Sequence, residues 1–354
     1  MKIGLLTFHR AKNYGAVLQC YALSQFLVQK GYEVCVMDYQ PPYLAGMKDE
    51  SSALKRVNGY LKTILYWLLN CGESQFGNGF RRFLKRNLNI ASMSDACVMD
   101  AFVCGSDQIW SPKICKGFDK VYFAQIPDSS PPKVISYAAS MGETKLTDGQ
   151  KEEFLSLLNN FDAISVRETS LSGWLTSSGV RNAVVADPVI LAGKDIFQPL
   201  LVPIRQKRPY VLVYELTQLP ATYSFAQNMA TQIGAEVVVI GGGADKYFRR
   251  GIKNKQGLSP EQFVSYFANA SCVVTNSFHG TAFSLIYNKP FYCLRTNTWK
   301  DERILSLLQQ TNLMNRFVDD SDVVNYTSID YKTINDKLQQ MRKKSEDFIR
   351  WSLE

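Results

Sequence analysis

The sequence predicts an α/β protein of two Rossmann-like doubly wound domains with a central cleft, and three observations carry the prediction. Strand-like and helix-like segments alternate from the first residues, the pattern of parallel βαβ units. The alternation breaks at residues 196–209, a stretch with Pro199, Pro203 and a basic run at Arg205–Arg208, and restarts at Tyr210. At 354 residues the chain is also longer than one ordinary core and suits two domains. The expected division is residues 1–200 as an N-terminal, acceptor-side domain, 201–330 as a C-terminal, donor-side domain, and 331–354 as a charged helical tail. In open sheets of this kind, ligands sit beyond the carboxyl ends of the strands.

The apolar run Ile3–Phe8 predicts the first strand, followed by a polar turn and a helix from Ala16 to Lys30. That helix buries Val17, Leu18, Tyr21, Phe26 and Leu27 and stops at Gly31, a residue suited to the position after a helix. Glu33–Tyr39 is the second strand, ended by Pro41-Pro42. Farther on, Leu54, Val57, Leu61, Ile64, Leu65 and Leu68 recur at helical spacing, with Lys55, Arg56 and Lys62 off that face. Such a helix either packs on its own domain with a solvated basic face or lies as a basic arm near anionic lipid headgroups.

Ala101–Cys104, Val134–Ala138, Ala163–Val166 and Val184–Ala186 read as further strands, with a helix over Glu152–Leu158. After the break come a strand at Tyr210–Tyr214, a helix at Tyr223–Gly234, and a strand at Glu236–Ile240 running into Gly241-Gly242-Gly243. Ser259-Pro260-Glu261-Gln262 is a helix start, with serine at the cap, proline first and glutamine three residues on. Cys272–Thr275 is a buried strand and Thr281–Tyr287 a helix.

Hydrophobic content of 46% and charged content of 20% exclude disordered and fibrous classes. Met1-Lys2 leads straight into Ile3-Gly4-Leu5-Leu6, too short for a signal sequence, and no long apolar span follows, so a cytoplasmic location is expected. The 8 cysteines contain no CxxC pair, and Cys20, Cys35, Cys104, Cys272 and Cys293 lie in apolar runs; this reads as reduced core cysteine. The net charge of +8 gathers at Lys55, Arg56, Lys62, Arg81, Arg82, Lys85 and Arg86, and again at Lys246, Arg249, Arg250, Lys253 and Lys255. That balance suits anionic small molecules or an anionic membrane surface. With no zinc finger, basic zipper or RNP-like motif, nucleic acid is not expected as a partner.

Three strand-exit turns concentrate groups able to do chemistry: residues 9–15, Gly105–Trp110 and Asn276–Gly280. The first offers a glycine and helix-start N–H groups, which favour anions. The second packs a hydroxyl, a carboxylate, an amide and an indole into one exit. The only 2 histidines, His9 and His279, fall in the first and third, and an imidazole can titrate near neutrality. Gly241-Gly242-Gly243 lacks the GxGxxG spacing of a nucleotide fingerprint. Arg167-Glu168 at a strand end serves equally as a salt bridge or an anion clamp. No cluster has metal-ligand spacing, so no obligatory metal is expected.

Six stretches together resemble the polysaccharide pyruvyltransferase family. They are Asn13–Gln19 with Tyr21-Ala22-Leu23, Gly105–Trp110, Ser136–Gly142, Ser165–Glu168, Asp187-Pro188-Val189 and Asn276–Gly280, in family order. The resemblance implies a glycosyltransferase-B-like pair of domains. It also implies transfer of pyruvate from phosphoenolpyruvate to two sugar hydroxyls, giving a cyclic ketal and phosphate. Arg167 matches the family arginine that grips the donor, and His279 the family histidine before glycine. Many relatives carry an arginine where this chain has Ser277; Arg295, Lys289, Arg303 or helix-start N–H groups near Gly280 could substitute.

On that basis His279, Asp107 and His9 are the expected catalytic groups. Arg167, Asn13, Tyr14, Gly15, Ser106, Gln108, Asn276, Ser277, Gly280 and Arg295 are the expected substrate contacts. Phosphoenolpyruvate acts as donor substrate with no cofactor, and the acceptor is a glycan or lipid-linked oligosaccharide, with a peripheral membrane contact as an added use of the basic helix. A sugar-nucleotide-dependent glycosyltransferase shares the same fold and cleft, and a non-catalytic glycan-binding scaffold is the third class.

Overall fold

The computed structural model describes residues 1–45, 77–129, 131, 133–142, 145–241 and 251–354. The helix expected around Leu54–Leu68, the residues Gly242, Gly243, Lys246, Arg249 and Arg250, and Cys71 lie outside the described residues.

The first sheet has seven parallel strands: β1 (Lys2–Leu6), β2 (Glu33–Met37), β3 (Ile90–Ala91), β4 (Ala101–Cys104), β5 (Lys133–Ala139), β6 (Ala163–Val166) and β7 (Ala183–Val184), in the order β3-β2-β1-β4-β5-β6-β7. The second has six: β8 (Tyr210–Tyr214), β9 (Glu236–Ile240), β10 (Ile252–Lys255), β11 (Cys272–Thr275), β12 (Phe291–Leu294) and β13 (Phe317–Val318), in the order β10-β9-β8-β11-β12-β13. Each sheet thus reverses direction beside its first strand, the topology of a Rossmann-like domain, and the reversal marks the crevice where ligands bind. Central strands such as β4 and β8 are buried along their whole length, because helices cover both faces of a parallel sheet. The chain is therefore a pair of Rossmann-like α/β domains of the glycosyltransferase-B-like arrangement.

Helix α1 (Tyr14–Gln29) follows β1 and is capped by the Asn13 side chain; it ends where Gly31 takes a φ of +89°. A described helix at residues 77–87 carries Arg81, Arg82, Lys85 and Arg86 exposed and Phe80, Phe83 and Leu84 buried. The helix expected from Glu152 begins earlier, as α3 (Asp148–Leu158; residues 77–87 being α2). A capping box sets this start: Thr147 Oγ1 accepts from Gln150 N–H at 3.3 Å, and Gln150 Oε1 accepts from Thr147 N–H at 3.0 Å. Helices α4 (Thr169–Ser177) and α5 (Pro188–Phe197) complete the N-terminal half; α6 (Thr222–Gln232), α7 (Pro260–Asn269), α8 (Phe278–Ile286) and α9 (Asp301–Thr311) belong to the second sheet.

The charged helical tail expected at residues 331–354 is a helix packed against both halves of the chain. Helix α10 (Tyr331–Leu353) buries Ile334, Leu338, Ile349 and Leu353. Its first residue donates from Tyr331 Oη to Lys289 O at 2.5 Å in the C-terminal half. Farther along, Ser345 Oγ accepts from Ala186 N–H at 2.8 Å in the N-terminal half, and Glu346 pairs with Lys30. The charges read from the sequence occupy the outer side of an amphipathic helix that joins the two domains.

One hydrophobic cluster runs through both halves. Tyr14 stacks on Phe263 at 4.3 Å between ring centroids, and Phe197 meets Phe283 at 5.1 Å. An apolar, continuous interface of this kind fixes the two sheets relative to each other. Among the described residues no helix is long and apolar enough to cross a membrane, and Cys20, Cys35, Cys104, Cys115, Cys272 and Cys293 are buried free thiols.

Candidate functional site

The carboxyl ends of both sheets meet over a buried cluster of charged side chains. From the first sheet come Ser106, Asp107 and Gln108 after β4, Ser140 after β5, Arg167 and Glu168 after β6, and Asp187 at the cap of α5. His279 on α8 and Arg303 on α9 come from the second. None of these side chains belongs to a residue more than 9% exposed.

Asp187 is the hub. Its Oδ1 accepts from Val189 N–H at 2.9 Å, capping α5, while its Oδ2 accepts from Arg167 Nη1 at 2.9 Å and Ser106 Oγ at 3.2 Å. His279 Nε2 stands 3.6 Å from that same Oδ2. Burial alone would raise this carboxyl, but the neighbouring His279 and Arg167 hold it well below the ordinary carboxylate range. Glu168 mirrors the arrangement: its Oε1 accepts from Arg167 Nε at 3.0 Å and from Ser140 Oγ at 2.8 Å. Burial opposes the charge on Arg167, yet the two carboxylates keep its guanidinium above its ordinary value.

His279 lies inside a helix. The expected helix start at Thr281 moves forward to Phe278 because Ser277 acts as the cap, its Oγ accepting from Gly280 N–H at 3.4 Å. Imidazole and helix start are thus one rigid unit. Gly280 is small of necessity, since a Cβ there would fall 2.2 Å from Thr275 Oγ1. Phe278 lies under Arg167, its ring centroid 4.3 Å from the guanidinium carbon.

Not every expected contact joins this cluster. His9 is fully buried, its ring nitrogens 3.3 Å from Thr7 O and 3.1 Å from Asp38 Oδ1, so both are engaged away from Asp187. Arg295 pairs with Asp319 at 3.9 Å and lies over Phe317, a partly exposed site that draws it away from the cluster. Tyr14 donates to Leu258 O at 2.9 Å and belongs to the interdomain packing. Asn13 caps α1, and Asn276 braces the exit of β8, accepting from Leu216 N–H at 2.8 Å. Gly15 does reach the cluster by packing against the His279 ring, and Lys289 sits at the opposite, entering end of β12.

Sequence reasoning gave Asp187 no role beyond its motif and Glu168 none beyond its pairing. The signal was an acid just before a proline that starts a helix, a pattern equally explained by capping.

Several buried polar atoms here have no hydrogen-bond partner: Arg167 Nη2, Arg303 Nε, His279 Nε2, Gln108 Nε2 and Glu168 Oε2. Buried polar atoms are seldom left unpaired, so orphans gathered where the two halves meet leave room for a polar ligand. All but Glu168 Oε2 are nitrogens, which suits oxygen-rich anions. Among the described residues no group of His, Cys, Asp and Glu could hold a metal ion.

A family model described as polysaccharide pyruvyl transferase matches residues 13–298. No curated protein matches the sequence. Among solved structures, MnaA of S. aureus in complex with UDP is similar at TM-score 0.48 and 11% identity, over 98% of this chain and 90% of that one. The UDP-GlcNAc 2-epimerase of Methanocaldococcus jannaschii is similar at TM-score 0.47 and 11% identity, over 99% of both chains. The glycosyltransferase SnogD of Streptomyces nogalater is similar at 0.41 and 14%, over 98% and 95%.

Proposed function

The chain belongs to the polysaccharide pyruvyl transferase family, and we propose that it moves pyruvate from phosphoenolpyruvate onto two hydroxyls of a surface-polysaccharide precursor. The products are a cyclic ketal and inorganic phosphate. The observation that carries this reading is the set of unpartnered buried nitrogens around Asp187 and Glu168. A donor with a carboxylate and a phosphate needs several cationic or N–H groups in one dry place.

The chemistry assigns roles. Protonation of the vinyl carbon turns CH2 into CH3 and leaves positive character at C2, which a first sugar hydroxyl attacks. Loss of phosphate and attack by the second hydroxyl close the ketal. In balance, one hydroxyl proton ends on carbon and the other on phosphate. His279, whose Nε2 makes no hydrogen bond among the described residues and stands 3.6 Å from Asp187 Oδ2, is placed to move such protons. Arg167 Nη2 faces the donor while its other nitrogens stay on the carboxylate frame. Asp107, Gln108 and Ser106 fit the acceptor side.

The acceptor is a glycan, lipid-linked if the exposed Arg81, Arg82, Lys85 and Arg86 bring the enzyme to the anionic inner face of the membrane, with the rest of its life in the cytoplasm. Phosphate release from phosphoenolpyruvate, measured against galactose-, mannose- and hexosamine-containing acceptors, tests the reading. A thermal shift with phosphoenolpyruvate and none with UDP- or GDP-sugars is expected; the reverse pattern moves the assignment to a sugar-nucleotide-dependent glycosyltransferase.

A further inference from the structure

Arg303, one of the cations the sequence offers near the site, has no part in the chemistry assigned above. It sits in the first turn of α9 and is 8% exposed. Among the described residues it forms no ion pair, and its Nε–H has no acceptor. Three physical penalties fall on it together. It is a buried cation without a carboxylate at ion-pair distance, it stands at the positive end of its helix, and it shares its surroundings with the second cation, Arg167. Burial, reinforced by Arg167, lowers its guanidinium to about 10, so it stays charged at neutral pH; Asp107, Glu168 and Asp187 pull the other way without reaching ion-pair distance.

Arg167 differs in one respect that decides between them. Two of its nitrogens are fixed on Glu168 and Asp187, leaving Nη2 alone. One arginine is braced by the protein, the other is not. The turn that carries Arg303 is itself held in place: Ser306, one turn on, accepts from Thr169 N–H at 3.2 Å across the domain boundary, and Asp301 accepts from Thr296 N–H at 3.0 Å and Asn297 N–H at 2.9 Å. Its backbone is ordered while its charge is left open.

We propose that Arg303 is the cation that binds an oxyanion of the substrate in the interdomain site. This rests on the phosphoenolpyruvate reading for the identity of the anion, and on the geometry alone for the existence of the site. A guanidinium fork takes two oxygens of a phosphate or a carboxylate equally well.

The test uses the full-length chain and its Arg303→Gln and Arg303→Lys variants, titrated calorimetrically with phosphoenolpyruvate, inorganic phosphate and pyruvate. Wild type is expected to bind phosphoenolpyruvate and at least one of the two smaller anions. Arg303→Gln should weaken the affected anion on the order of 10²-fold. Arg303→Lys, which keeps the charge and loses the fork, should fall between. Without ligand, the glutamine variant should melt at the wild-type temperature or above, because an unpaired buried charge is gone; a merely structural arginine would lower it. Loss of phosphate affinity places Arg303 on the phosphate, and loss of pyruvate affinity places it on the carboxylate. Should Arg303→Gln fail to fold, Arg303→Lys binding all three anions as wild type does overturns the proposal, as does a folded Arg303→Gln that does so. If wild type binds phosphate through Arg303 but ignores phosphoenolpyruvate, the anion site stands and the donor assignment falls.

Discussion

Gly15 and His279 touch across the domain boundary: a Cβ added to Gly15 would fall 2.1 Å from Nδ1 of the imidazole. The first turn of α1 therefore leans directly on the ring that the second domain supplies. Gly15→Ala has to push the ring or the helix aside, and overpacking of this kind costs about 1–3 kcal/mol. Because His279 Nε2 stands near Asp187 on its far side, a displaced ring also loses its alignment. Turnover is expected to fall at least tenfold with a modest drop in melting temperature. A folded Gly15→Ala enzyme with wild-type turnover would show that the ring's position is unimportant.

Asp187→Asn keeps the shape of the hub and removes its charge. Arg167 then has one carboxylate instead of two in a buried setting, and breaking a buried pair of this kind costs about 3–5 kcal/mol. Asp187 is a positioning residue, so kcat should drop more than the KM for phosphoenolpyruvate rises. Denaturant unfolding and steady-state kinetics on the same preparation check both halves; a loss of stability with unchanged kcat would reduce Asp187 to a structural role.

The elements were legible where period and punctuation agree. The continuous apolar runs at Ala101–Cys104, Tyr210–Tyr214 and Cys272–Thr275 form strands over those same residues, and Ser259 caps the helix it was expected to start. Boundaries set by side-chain caps were less visible: Thr147 and Ser277 start their helices earlier than the apolar pattern does, because caps precede the first buried residue. The site divided on the same line. Arg167, His279 and Ser106 stand out by residue type at strand exits, and they do meet at Asp187. Arg303 lies within an ordinary amphipathic helix, and only the meeting of the domains shows that it is buried without an ion-pair partner among the described residues. His9 and Arg295 looked equivalent to their counterparts until the partners Asp38 and Asp319, distant in sequence, were in place.

Ser345 on α10 supplies the acceptor for Ala186 N–H, the residue before the hub. Ser345→Ala leaves that buried donor unpaired, at a cost of about 1–3 kcal/mol. Ser345→Thr restores an oxygen and should recover part of the loss. A urea-melt midpoint for alanine equal to wild type would mean that α10 merely lies against the domain without bracing it.

His9 and Asp38 give stability a pH dependence of opposite origin to the chemistry. Burial lowers the His9 imidazole from 6.5 despite its bond to Asp38. As pH falls below 6.5 the unfolded chain takes up a proton that the folded chain resists, so this contribution rises with pH in that window. The Arg10 hydrogen bond holds Asp38 at about 2, so its contribution is present above 3.8 and is lost as pH falls toward 2. His9→Gln should flatten the slope of stability just below pH 6.5 and leave turnover at neutral pH within a few-fold; a collapse of turnover with normal stability would return His9 to the catalytic set.

The last prediction concerns whether His279 is a chemical group or a packed one. Its removal leaves Asp187 with Arg167, Ser106 and the Val189 N–H, so the hub stays satisfied. His279→Ala should therefore melt within a few degrees of wild type, and if the imidazole moves the proton to or from the donor, turnover should fall about 10²–10⁴-fold. His279→Gln separates the two ways in which it could act: an amide keeps a hydrogen bond but does not titrate. Turnover as low as in the alanine variant assigns proton transfer to His279. Recovery to near wild type in the glutamine variant assigns it hydrogen bonding to the donor, and an alanine variant that stays folded and active removes it from the chemistry and passes the acid/base role to His9, the other imidazole of the chain.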